Sequence, residues 1–135
     1  MSNYMRLWNL CVMASACLLF AAGCAGKGGM GHVRVETTSF AAEKGLTIKD
    51  WRWSGGKLSV QFSVTSSFSG TWNLFAQAFD TKGTAIGNEI RFLNSNMAPG
   101  RTEWIDVPDV KLTEQTGRVA FDIQSATKIR REPHY

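Results

Sequence analysis

Leu58-Ser59-Val60-Gln61-Phe62-Ser63-Val64-Thr65 alternates apolar and polar residues without a break. Successive side chains of an extended chain point to opposite sides, so this period of two predicts a strand with one buried face. A second stretch, Trp72-Asn73-Leu74-Phe75-Ala76-Gln77-Ala78-Phe79, is apolar at both parities. It predicts a central strand covered on each side. Val33 and Val35, and later Val119, Phe121 and Ile123, repeat the simpler alternation. Turn chemistry separates these segments: Ser54-Gly55-Gly56, Ser69-Gly70, Asp80-Thr81-Lys82-Gly83, Ala98-Pro99-Gly100 and Thr116-Gly117. Glycine supplies positive φ at such places, and Pro99 presets the turn before Gly100.

Read together, the pattern predicts strands near 33–38, 46–53, 57–65, 71–80, 84–93, 102–107 and 117–125. Beyond residue 24 no stretch keeps a helical period over three turns. The expected fold class is all-β: an antiparallel immunoglobulin-like β-sandwich of about seven strands, preceded by a helical signal segment. The chain has 135 residues, a formal charge of +4 and three cysteines, which bounds it to one modest domain. A charged fraction of 19% and an aromatic fraction of 11% exclude a disordered chain.

The first 23 residues have a different character. Their only charged side chain is Arg6, and Leu10 to Ala22 is apolar except for Ser15. That run is shorter than the roughly 20 residues a spanning helix requires, and small residues follow it, as in an export signal. Met5 also fits as the start, because Met-Arg-Leu retains a charged end. After Cys24 comes Ala25-Gly26-Lys27-Gly28-Gly29-Met30-Gly31. Gly26 to Gly31 spells the dinucleotide fingerprint G-x-G-x-x-G, but that motif works only between a strand and a helix. Here a flexible tether is expected. The organisation expected is a signal peptide over 1–23, a Gly-rich tether over 24–31, a sandwich over 32–127 and a basic C-terminal tail over 128–135.

Phe20-Ala21-Ala22-Gly23-Cys24 resembles the lipobox of bacterial lipoprotein precursors, with Ala21 where leucine is most frequent. The resemblance implies a mature protein beginning at Cys24, carrying a thioether-linked diacylglycerol and an acylated amine, with fatty acids such as palmitate. Two or more acyl chains hold a protein stably on a membrane. Ala25, rather than aspartate, follows the cysteine, which implies the outer membrane facing the periplasm where the host has two membranes. Cys11 and Cys17 would leave with the signal, so no disulfide is expected in the domain. A second resemblance rests on Leu74-Phe75-Ala76-Gln77-Ala78-Phe79-Asp80-Thr81-Lys82-Gly83-Thr84-Ala85-Ile86-Gly87 and on Met97-Ala98-Pro99-Gly100-Arg101-Thr102-Glu103-Trp104. These resemble the small bacterial FxLYD-like envelope domains, with Phe79-Asp80 where that family has Tyr-Asp. This implies a fold and an envelope setting, and little about activity.

No catalytic constellation emerges, and a non-enzymatic protein without metal or cofactor is expected. His32 lies at the tether junction and His134 near the C-terminal end, neither expected inside the core as a fixed base. Asp80 is expected to form its turn, and Asp106 and Asp109, which flank Pro108, to mark a solvated strand end. Trp51 and Trp53 share one parity while Leu46 and Ile48 have the other. Either the two indoles form an outer platform for a partner or a glycan, or a bulge near Asp50 turns all four inward. Lys128, Arg130 and Arg131 are candidate contacts to anionic headgroups. No nucleic-acid partner is expected, because an export signal would separate the domain from it and no basic-aromatic module appears. The expected function is an envelope lipoprotein that binds or supports another envelope protein; the alternative is a glycan or cell-wall polymer module using Trp51 and Trp53.

Overall fold

A computed structural model of the chain describes residues 26–65, 71–95 and 100–135. The signal segment, Cys24 and most of the Ser69-Gly70 and Ala98-Pro99 turns lie outside the described residues. Seven strands form two sheets: β1 (Arg34–Thr37), β2 (Leu46–Ser54), β3 (Lys57–Val64), β4 (Trp72–Asp80), β5 (Ala85–Ser95), β6 (Thr102–Val107) and β7 (Thr116–Ser125). One sheet has the order β1-β7-β4-β5, the other β2-β3-β6. The protein is an all-β sandwich. Its ladders are antiparallel except β1 with β7, which pair in parallel from Arg34–Arg118 to Thr37–Phe121.

Each sheet buries the face that the alternation predicts. Leu58, Val60, Phe62 and Val64 of β3 point into the core, and so do Leu74 and Ala76 of β4 and Val119, Phe121 and Ile123 of β7. The sheets meet at Phe62 and Phe121, whose rings pack edge to face at 5.2 Å. One turn of helix, α1 (Ser39–Glu43), joins β1 to β2, and the Thr38 hydroxyl caps it by accepting from the Ala41 N–H at 3.2 Å. Among the described residues no helix is long and apolar enough to cross a membrane.

Strand β4 is central, between β7 and β5, as its two apolar faces predict. Its outward residues Asn73, Phe75, Gln77 and Phe79 are all buried. The C-terminal tail packs over this face: the Arg131 guanidinium lies 3.9 Å from the Phe75 ring centre, and Tyr135 packs edge to face on Phe79 at 5.7 Å. Part of the basic tail expected over 128–135 is therefore docked on the sheet, while Lys128, Ile129, Arg130 and Glu132 remain exposed.

A bulge decides the fate of β2. Its register with β3 shifts between Ile48–Phe62 and Asp50–Gln61, leaving Lys49 as the extra residue. The parity reverses there, so Leu46, Trp51 and the half-buried Ile48 and Trp53 all face the core. The outer Trp51–Trp53 platform is thereby corrected: one inserted residue turns both indoles inward.

Candidate functional site

Residues 26–31 do not behave as a free tether either. The Gly26 carbonyl accepts from the Trp53 N–H at 2.9 Å, and Lys27 Nζ donates to the Trp51 carbonyl at 3.1 Å while lying 4.0 Å above its indole. Met30 packs against the core, and its carbonyl accepts from the Val33 N–H at 3.0 Å. The segment follows the β2 edge opposite β3, covering backbone groups that an open edge would expose. Gly28 makes this possible. Its φ of +52° suits glycine, and a Cβ there would stand 2.9 Å from the Trp53 carbonyl oxygen.

The densest polar constellation is centred on Asp122 in β7. Its strand neighbours Phe121 and Ile123 face the core, so Asp122 faces outward beneath the tail. The carboxylate is fully buried and fully engaged. Thr38 Oγ1 donates to it at 2.8 Å, Arg131 Nη2 at 2.7 Å and the His134 N–H at 3.1 Å, with His134 Nδ1 at 2.9 Å. Burial works against its charge, but the hydrogen bonds from Arg131, Thr38, His134 and the Ile123 backbone outweigh it and hold the carboxyl below its ordinary value of 3.8. Arg131 also grips Glu89 of β5 with two bonds of 2.8 and 2.9 Å. Burial opposes the guanidinium charge, yet the bonds and field of Glu89 and Asp122 push its pKa up. The His134 ring stacks on Phe40 of α1 with centroids 3.9 Å apart. Chemically this is a clasp: one buried carboxylate joins the helix cap, the sheet and the tail.

The clasp changes the assignment of one of the three tail cations. Arg131, expected on an anionic surface, is consumed by Glu89 and Asp122, and Lys128 pairs with Glu132 at 3.1 Å. Arg130 is exposed, and its backbone carbonyl accepts from Gln124 at 2.9 Å. His134, not expected in the core as a fixed base, lies outside the core and is held on Asp122 by the same folding over of the tail. The one sign in the sequence was a carboxylate placed mid-strand between core residues Phe121 and Ile123, beside Phe75 of β4, which asks for a partner without naming it.

Asp80 forms its turn as expected, its carboxylate accepting from the Lys82 and Thr84 N–H groups at 2.9 Å each. Asp106 accepts from Ser59 at 2.7 Å and pairs loosely with Lys57 at 3.7 Å. Asp106 and Asp109 line one open cleft of about 530 Å³ with Lys57, Lys111 and Phe92. His32 is exposed beside Arg34, Asp80 and Arg118 in a smaller recess. Among the described residues no group of three or more His, Cys, Asp or Glu side chains is placed to hold a metal ion.

A pair absent from the sequence-based candidates lies on the outer face of the three-stranded sheet. The Arg52 guanidinium sits 3.9 Å over the ring of Trp104, reaching across β3 from β2 to β6. Trp104 remains 39% exposed. No family model, no curated protein and no solved structure matches this chain.

Proposed function

We propose that this chain is a non-enzymatic, membrane-anchored envelope lipoprotein whose β-sandwich binds or supports another envelope component. The lipobox-like run ending at Cys24 supports the anchor, and the FxLYD-like segments support an envelope setting. The observation that carries the reading is the Gly26–Trp53 hydrogen bond. Two residue steps separate Cys24 from Gly26, at most about 7 Å of extended chain. A lipid on Cys24 thus holds the sandwich against the bilayer surface, where its neighbours are other envelope molecules. With Ala25 after the cysteine, that surface is the periplasmic side of the outer membrane in a two-membrane host. The anchor would need two or more acyl chains to be stable, each buried methylene contributing about 0.8 kcal/mol.

The test is the mass of the N-terminal peptide of protein purified from membranes, together with a Cys24→Ser variant. Acylated Cys24 in the native protein and a soluble variant are expected. A variant that stayed membrane-bound with its fatty acids would overturn the anchor. Cross-linking in intact cells tests the second half, and recovery of no envelope partner under any growth condition would count against it.

A further inference from the structure

The two sheets differ in what covers their outer faces. The tail packs on the four-stranded sheet, whereas nothing among the described residues packs over the outer face of the three-stranded one. Opposite in parity to buried Leu58, Val60 and Phe62, the β3 residues Ser59, Gln61 and Ser63 lie half-buried on that face. Arg52 and Trp104 flank them. Its two carboxylates are compensated, Asp50 by Lys27 and Asp106 by Lys57. Arg52 has no carboxylate partner among the described residues. The face therefore offers an exposed indole, small neutral polar groups and the cation Arg52, with the exposed Lys49 at the bulge also without a carboxylate partner among the described residues.

Its position is fixed by the docked leader. Strands lie about 4.8 Å apart, so β6 is roughly 14 Å from the Gly26 segment across β2 and β3. Cys24 lies within about 7 Å of Gly26. We propose that the Arg52–Trp104 face rests on the membrane, with Trp104 at headgroup level and Arg52 on lipid phosphate. This rests on the lipidation of Cys24 proposed above. Indole rings favour the membrane interface, and guanidinium matches phosphate with paired hydrogen bonds. A wall glycan fits less well, because Arg52 already occupies one face of the indole on which a sugar ring would stack.

The test uses the full-length lipidated protein, reconstituted into phosphatidylglycerol-containing vesicles whose lipids carry bromine near the headgroup end of the acyl chains. Quenching of tryptophan emission is expected, and W104F is expected to remove most of it while melting like the wild type. R52Q is expected to lower the ratio of docked to undocked protein about fivefold on anionic vesicles, the equivalent of roughly 1 kcal/mol per cation near such a surface. The mass of the N-terminal peptide separates the two claims. Acylated Cys24 with equal quenching in wild type and W104F overturns the membrane face and leaves the anchor standing. An unmodified Cys24 overturns both. Loss of binding to isolated wall polymer in W104F, without lipid quenching in the wild type, overturns the membrane face in favour of a glycan site.

Discussion

Nδ1 of His134 lies 2.9 Å from Oδ2 of Asp122, so a residue in the C-terminal tail contacts a fully buried carboxylate on β7. Thr38 reaches the same carboxylate from 84 positions away in the chain. Helix cap, sheet and tail are thereby joined through one charge, and the stability of the sandwich is expected to depend on it.

Acid should reveal that dependence. Asp122 titrates below its ordinary 3.8 in the folded state, so its ionisation stabilises the fold above that pH. The contribution is lost as pH falls through the lower folded-state value. Thermal melts across the acid range should show a steeper decline for the wild type than for D122N. At neutral pH, D122N should be less stable by roughly 3 kcal/mol, because it leaves Arg131 with one carboxylate partner of two. Parallel acid limbs in the two proteins would refute the assignment.

Arg131 should be as sensitive, and charge alone should not restore it. R131A is expected to cost about 3 kcal/mol in denaturant unfolding, since it strands buried Asp122. R131K should recover only part of that loss. A lysine is a point charge and cannot grip Glu89 twice, reach Asp122 and stack on Phe75 together. Full recovery by lysine would show that the fork geometry is dispensable.

The bulge at Lys49 makes a different prediction. Deleting Lys49 removes the extra residue and places Leu46, Ile48, Trp51 and Trp53 at one parity, so a regular β2 can pair with β3 in the same register and keep all four inward. The deletion should therefore be tolerated, changing stability by less than about 1.5 kcal/mol, well short of the roughly 3–5 kcal/mol for losing a large aromatic from a core. Tryptophan emission should stay unshifted on deletion, and a red shift with a large loss of stability would show that the extra residue at Lys49 is not what lets both pairs face inward. K49A keeps the residue count and should lie within about 0.5 kcal/mol of the wild type.

Gly28 controls the leader. G28V places a branched side chain at φ +52°, against the Trp53 carbonyl, and should detach residues 26–31 from the β2 edge. Limited trypsin digestion should then cut after Lys27, whereas the wild type is protected there. Gly26 has open space around its Cβ position, so G26A should remain protected. Equal cleavage of wild type and G28V would mean the leader is free.

Strand positions were legible in the sequence because alternation is a local property: each side chain's parity follows from the backbone of its own strand. Turn glycines and Asp80 marked the boundaries for equally local reasons. The double-sided apolar pattern of β4 also announced that something covers its outer face. What covers it was not legible, because Arg131 and His134 act on Asp122 only once the chain has returned over the sheet. The same holds for Trp51 and Trp53, where parity left two orientations open until pairing with β3 placed the extra residue at Lys49. The sequence by itself determined an all-β chain with a lipobox-like leader. Tertiary structure alone decided which tryptophan stays exposed, which cations are spent on buried carboxylates and where the leader docks, because each depends on register and contact between residues distant in the chain.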